Sequence, residues 1–252
     1  MIPKVIHYCW FGGNPLPESA KKCIASWGEY LPDYEIKEWN ESNFDVNSIK
    51  YTREAYRLKK YAFVSDYARM WILYNYGGLY FDTDVELIKP IDDIVARGNF
   101  MGREAADNKL SGHDGGAAIK GCGSLNESTI NPGLGLGVAP GLGLYKKVVD
   151  WYQAHHFATW DGKFTATIVD IVSNILAEDK LQELEGGIEY GSEIYIYPPE
   201  YFCPKNYFTG EMHITENTRS IHHYAATWVN ESRPLSERLK KRINFIRAHF
   251  NI

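Results

Sequence analysis

The stretch SDYARMWILYNYGGLYFDTDVE, residues 65–86, decides how this 252-residue chain is read. From about Lys60 to Tyr76 the apolar residues Ala62, Phe63, Tyr67, Met70, Ile72 and Leu73 recur at helical spacing. Gly77 stands where glycine commonly ends a helix. LYFD, 79–82, then reads as a short strand that delivers Asp82 at its carboxyl end, with Asp84 two residues on. In open α/β sheets ligands sit outside the carboxyl ends of strands. The acidic pair therefore falls where a ligand would be held, and in extended backbone residues i and i+2 face the same side.

Working outward, VIHYCWF (5–11) reads as a buried first strand, rich in β-branched and aromatic residues and stopped by Gly12 and Gly13. Pro17 to Tyr30 places Ala20, Cys23, Ile24 and Trp27 on one helical face, and YEIKEWN (34–40) alternates as a second strand. The resulting β-α-β order favours a parallel or mixed sheet. A further helix is expected over Thr52–Leu58, and others over Leu144–His155 and Thr167–Leu176. EIYIYPPEYF (193–202) holds a strand stopped by Pro198 and Pro199, and SIHHYAATW (220–228) is a late aromatic strand. Residues 107–143 are glycine-rich and read as a long functional loop with short strands. Within it GLGLGVAPGLG lacks the GxGxxG spacing, and no GxxxxGK[ST] occurs, so dinucleotide and P-loop readings fail.

Composition narrows the function. A net charge of −5 argues against a general nucleic-acid binder. The 14% aromatic content, with 18 Tyr and 7 Trp, supplies rings for the core and for stacking on sugars or bases. Cys9, Cys23, Cys122 and Cys203 form no CxxC pair and read as reduced thiols, so a cytoplasmic setting is expected. MIPKVIHYCWFGG does not read as a signal peptide, and no apolar run is long enough to span a bilayer. LSERLKKRINFIRAHF (235–250) is an amphipathic basic helix with Leu235, Leu239, Ile243, Ile246 and Phe250 on one stripe. It either packs on the domain or docks on anionic lipid at the inner face of a membrane. The chain reads as a single domain over 1–234, with 235–252 part of it or appended.

Several groups could carry chemistry. Asp82 and Asp84 make a site for a hard divalent cation such as Mn²⁺ or Mg²⁺, or else an acidic surface turn. Asp66 and Arg69 are i and i+3 neighbours on a mostly apolar helix, where an unneeded charge is expensive. They form either a local salt bridge or a pair that accepts sugar hydroxyls and grips phosphate. His222 and His223 face opposite ways in a strand, so one of them at most completes the acidic pair as a metal ligand. Trp10 is a core residue or, at a strand end before two glycines, a platform for a nucleobase. FDTDVEL also resembles the DxD element of haloacid-dehalogenase phosphatases, with Asp82 as nucleophile and Asp84 as acid. The position beyond residue 80 and the lack of a GDxxxD pair weigh against that. A catalytically inactive carbohydrate-binding module is the non-enzyme alternative.

Taken in order, IPKVIHYCWFGG, SDYARMWILYNYGGLYFDTDVE and IHHYAATW resemble glycosyltransferase family 32, the DXD sugar-binding-region enzymes of capsule synthesis and mannosyl transfer. More distantly they resemble the glucosyltransferase domain of large glucosylating toxins. The central block fits as SDxxRxxxLxxxGGxYxDxD. The resemblance implies a GT-A fold, that is, a Rossmann-like mixed sheet flanked by helices. It implies a retaining hexosyltransferase that uses Mn²⁺ or Mg²⁺ and a nucleotide-sugar donor, UDP favoured over GDP, with a glycan or lipid-linked oligosaccharide acceptor. A bacterial, cytoplasmic enzyme of surface polysaccharide synthesis is the expected setting. By motif, Asp82 and Asp84 match the DXD, and Asp66 and Arg69 match the donor-sugar pair. Trp10 matches the base-stacking aromatic, and His222, with His223 as competitor, matches the metal or diphosphate contact of an HHxxGSW-like motif. Thr227 and Trp228 complete that motif, with Thr227 where Ser is usual and Ala226 where Gly is usual. Asn131 matches an asparagine near the sugar.

Overall fold

A computed structural model describes residues 1–105, 128–157, 166–177, 181–184, 187–190, 193–207 and 209–225. Thr227, Trp228, Cys122 and the basic tail at 235–252 lie outside the described residues. The chain opens with β1 (Val5–Cys9), α1 (Glu18–Tyr30) and β2 (Glu35–Trp39). β1 and β2 are parallel, with Ile6 opposite Ile36, so the expected β-α-β unit is formed. Next come α2 (Lys50–Arg57), α3 (Tyr61–Tyr76), β3 (Gly78–Tyr80), β4 (Val85–Leu87) and α4 (Asp92–Arg97). β5 (Phe100–Ala105), β6 (Ser128–Ile130), β7 (Leu136–Val138), α5 (Gly143–Ala154) and α6 (Ile168–Ala177) follow. The described chain ends with β8 (Leu181–Leu184), β9 (Gly187–Tyr190), β10 (Ile194–Tyr197), α7 (Pro199–Phe202) and β11 (Ser220–His222).

The main sheet runs β2-β1-β3-β7-β5-β10-β9-β8, with β6 paired to β5. β3 joins β1 in parallel, and β10 joins β5 in parallel. β7 is antiparallel to both β3 and β5, so the sheet is mixed. This is the Rossmann-like α/β architecture expected from the sequence. Alternation along the strands sorts the core onto two faces. Ile6, Tyr8, Leu79, Phe81 and Phe100 pack with Trp27 of α1 and Ile94 of α4. Cys9, Tyr80, Met101, Leu136 and Ile196 pack on the other face with α3, α5 and α6. A sheet covered on both faces needs strands that are apolar throughout rather than alternating. IYIY of β10 is buried at all four positions for this reason.

Two features aim the carboxyl end of β3. Gly77 closes α3 at φ +65, with its N–H on the Leu73 carbonyl 2.9 Å away, a backbone setting that favours glycine. His7 in β1 ties the same turn down, since its Nε2 donates to the Gly77 carbonyl at 3.0 Å. Its Nδ1 accepts from Trp39 Nε1 at 3.1 Å. Both ring nitrogens are thus satisfied by a neutral imidazole, and burial pushes the His7 pKa down to about 4.

The strand before the acidic pair is shorter than LYFD. β3 stops at Tyr80, and the Val85 N–H closes a turn on the Asp82 carbonyl at 3.0 Å. Asp82 and Asp84 are therefore brought to one side by a turn rather than by the pleat of a strand. The Asp82 N–H is satisfied by the Gly133 carbonyl at 3.2 Å, on the segment that leads into β7.

Candidate active site

Four segments converge at the carboxyl ends of β3 and β5. From α3 come Asp66 and Arg69, and from the turn after β3 come Asp82 and Asp84. β11 contributes His222, and the stretch around β5 and β6 contributes Glu104 and Asn131. The distant segment arrives by strand pairing. β11 is antiparallel to β4 in a separate ribbon, with His222 opposite Val85.

Arg69 is 4% exposed and is held between two carboxylates. Its Nη2 lies 3.0 Å from Asp66 Oδ1 and 3.0 Å from Asp82 Oδ1, and its Nη1 donates to Asp82 Oδ2 at 3.3 Å. The guanidinium also lies 4.9 Å from the centre of the Tyr80 ring. A buried cation costs several kcal/mol to desolvate, and two anions with fork geometry are needed to offset it. Burial pushes the Asp66 carboxyl up to about 7, with Arg69 pulling against it and Asp82 adding to it. Asp82 is likewise raised by burial, opposed by Arg69. Tyr80 Oη donates to Asp82 Oδ1 at 3.2 Å. Both Asp82 oxygens are thus oriented by neighbouring donors.

Asp84 is built differently. His222 Nε2 lies 3.2 Å from Asp84 Oδ1, and the Ala225 N–H donates to Oδ2 at 2.8 Å. Burial would raise Asp84, yet the His222 charge, its hydrogen bond and the Ala225 N–H outweigh it and hold the carboxyl down to about 2. For His222, burial lowers the pKa, but Asp84 more than reverses it, so the ring is held above its ordinary value. One ligand atom each from Asp82, Asp84 and His222 lies within 4.8 Å of the others. Two carboxylate oxygens and one imidazole nitrogen form a donor set that suits Mn²⁺ and, through the oxygens, Mg²⁺.

The other residues singled out in the sequence fall around this centre. His223 Nε2 lies 2.7 Å from Glu86 Oε2, while its N–H donates to the Asp84 carbonyl at 2.9 Å. The backbone of His223 therefore fixes the acidic turn, and its ring points elsewhere. Trp10, at the end of β1, is half-buried against the face that holds Trp27, with its Nε1 donating to the Asn14 carbonyl at 2.6 Å. Asn131 Oδ1 accepts the Gly133 N–H at 2.8 Å, and its Nδ2 donates to Glu104 Oε2 at 3.3 Å. Gly133 is required here, because a Cβ at that position would lie 2.1 Å from Asp82 Oδ2.

Sequence reasoning missed Glu104, Tyr80, Tyr224 and Gly133. Tyr80 had a signal, being two residues before Asp82 in extended backbone. Tyr224 lies inside IHHYAATW but carries no ligand chemistry of its own. Its Oη donates to Glu104 Oε2 at 3.1 Å and lies 2.9 Å from Cys203 Sγ. Its φ of +54 is an outlier for a bulky residue, at a cost of about 1–3 kcal/mol. Nothing local marks Glu104, a 7% exposed carboxylate at the end of β5.

Part of the chain is similar in sequence to known proteins. Residues 17–101 match the family described as glycosyltransferase sugar-binding region containing DXD motif. That segment holds Asp66, Arg69, Asp82 and Asp84. Inositol phosphoceramide mannosyltransferase 1 of Schizosaccharomyces pombe (strain 972 / ATCC 24843) is 29% identical over 111 residues, which are 40% of this chain and 33% of that protein. Uncharacterized glycosyltransferase L373 of Acanthamoeba polyphaga mimivirus is 31% identical over 111 residues, 40% of this chain and 43% of its own. The chain thus spans between a third and a half of the length of these curated relatives. Among solved structures, PaToxG glycosyltransferase superposes with a TM-score of 0.48 at 17% identity, over 70% of this chain and 69% of that one. Among the described residues no helix is long and apolar enough to cross a membrane.

Proposed function

We propose that the chain is a metal-dependent, retaining hexosyltransferase that moves a sugar from a nucleoside diphosphate, UDP favoured over GDP, to a glycan or lipid-linked oligosaccharide. The observation that carries this reading is the convergence of Asp82, Asp84 and His222 beside the buried Asp66–Arg69 pair. The curated relatives named as a mannosyltransferase and a glycosyltransferase support it.

Asp82, Asp84 and His222 would hold Mn²⁺ or Mg²⁺, which when bound supplies positive charge against the departing diphosphate. The chain's own residues do the rest. Arg69 keeps the paired carboxylates of Asp66 and Asp82 in fixed orientation. Asp66, partly open to the site, accepts hydrogen bonds from the sugar hydroxyls and orients the ring. Trp10 offers an indole face to the base at the end of β1. Asn131 and the Gly133 backbone border the Asp82 side, where a side chain at 133 would intrude. Among the described residues none stands as a dedicated carboxylate nucleophile, so attack by the acceptor on the face the diphosphate leaves is preferred to a covalent intermediate.

A panel of UDP- and GDP-sugars incubated with Mn²⁺ is the direct test. Sugar-nucleotide hydrolysis or transfer is expected with at least one donor, and Asp84→Ala should lower it by about 10²-fold or more. Metal-dependent turnover that survives Asp84→Ala would sink the reading.

A further inference from the structure

His222 has a feature unusual for a metal ligand. A ligating imidazole ordinarily donates its second ring N–H to a carboxylate, carbonyl or water, which fixes the ring plane. His222 is 8% exposed, and its Nδ1 is buried with no hydrogen-bond partner among the described residues. Its Nε2 is the atom that faces Asp84. Among the described residues the Nδ1 side of the ring is set by packing rather than by a hydrogen bond.

The ring of Tyr224 occupies that role. Its centre lies 4.2 Å from the centre of the His222 ring, at an interplanar angle of 59°. On its far end the Tyr224 hydroxyl is engaged by buried Glu104 and by Cys203. Glu104 is in turn tied to Asn131, on the segment that borders Asp82. Tyr224 also bends the backbone through the left-handed region, at φ +54. That bend lets His222 on one side and the Ala225 N–H on the other reach the two oxygens of Asp84. A tyrosine adopts such a backbone only when its surroundings over-determine it, and the hydroxyl anchor is the most specific of those restraints.

We propose that Glu104 and Tyr224 are positioning residues: Glu104 anchors the Tyr224 hydroxyl, and Tyr224 sets both the His222 ring and the Ala225 N–H against Asp84. This inference rests on the metal reading of Asp82, Asp84 and His222. Neither residue touches the metal; they act through His222 and the backbone. In this scheme Glu104 is the acceptor that holds the Tyr224 hydroxyl.

Binding of Mn²⁺ alone, followed by electron paramagnetic resonance on the full chain, tests it without turnover. Tyr224→Phe keeps the ring and removes the anchor, and Glu104→Ala removes the acceptor. Each should weaken Mn²⁺ binding about 10-fold, the lower end for loss of an outer-shell partner. The nitrogen coupling of His222 to bound Mn²⁺ should diminish in both. Glu104→Gln, which keeps a carbonyl acceptor for Tyr224, should stay within about threefold of the parent. The double variant Tyr224→Phe/Glu104→Ala should be little worse than either single, because both break one link. A unit that merely supported folding would lower the unfolding temperature without changing the nitrogen coupling. Binding by Tyr224→Phe and Glu104→Ala within twofold of the parent overturns the proposal, as does Glu104→Gln falling as far as Glu104→Ala. A parent that binds no Mn²⁺ overturns the metal reading and this inference together. A parent whose binding is lost in Asp84→Ala but unchanged in Tyr224→Phe overturns this inference alone.

Discussion

The site has a contiguous half and an assembled half. Residues 65–86 supply Asp66, Arg69, Tyr80, Asp82 and Asp84 from one helix, one strand and one turn. His222, Tyr224, Glu104 and Asn131 come from three segments with up to 120 residues between members of a single hydrogen bond. The first half is held by charge, with Arg69 clamped between two carboxylates. The second is held by ring packing and a bent backbone, and meets the first through the His222–Asp84 pair. Charge inside the first half makes it costly to break. Geometry in the second makes it easy to loosen without unfolding the protein.

The largest expected effect tests the charged half. Arg69→Ala would leave Asp66 and Asp82 as uncompensated buried anions, at a cost of about 3–5 kcal/mol of stability. Urea unfolding at neutral pH measures it. A cost below about 1 kcal/mol would mean that the clamp is solvated and that the contrast between the halves is false.

A second prediction concerns the buttress under the same half. His7 is neutral in the fold, with a pKa near 4 against an ordinary 6.5. Between those values the unfolded chain binds more protons, so stability is full above about pH 6.5 and falls as pH drops toward 4. At about 1.36 kcal/mol per unit the loss is up to about 3 kcal/mol. Asp66, raised to about 7, opposes this trend over the same window, so the measure is the stability difference between the parent and His7→Gln at pH 7, 6, 5 and 4, which should shrink as pH falls. A difference that stays constant with pH would remove His7 as a contributor. Asp84, held down to about 2, contributes in a lower window, with its stabilisation lost only as pH falls below about 4.

The smallest effect sharpens the assembled half. His222→Ala should weaken Mn²⁺ binding at least about 10-fold, or about 1.4 kcal/mol, whereas His223→Ala should change it less than about threefold. His223 pairs its ring with Glu86 and touches Asp84 only through its backbone, which alanine retains. Equal losses in the two variants would show that the strap carrying both histidines acts as one element.

The two halves also differ in how far they could be read in advance. The helix, the glycine stop and the acidic pair were legible because every signal lies within one turn or one strand of the residue it concerns. Even there the pleat was the wrong cause, since a turn closed on the Asp82 carbonyl brings the carboxylates together. The choice between His222 and His223 was not legible. Strand alternation says that the two rings diverge but not which face meets Asp84. That depends on the register of β11 on β4, where His222 lies opposite Val85. Glu104 was not legible at all, because an acidic residue at a strand end has many ordinary reasons to be there.

What the sequence by itself determined was the local order: helix, glycine, strand and paired acids, with Asp66 and Arg69 one turn apart. Short-range sterics and hydrophobic periodicity are enough for that. The tertiary structure decided which charges meet, because desolvation and strand register depend on neighbours far along the chain. It placed Asp82 against Arg69 and Asp84 against His222. Two carboxylates separated by one residue thereby acquired opposite shifts, Asp82 raised by burial and Asp84 held down by the imidazole.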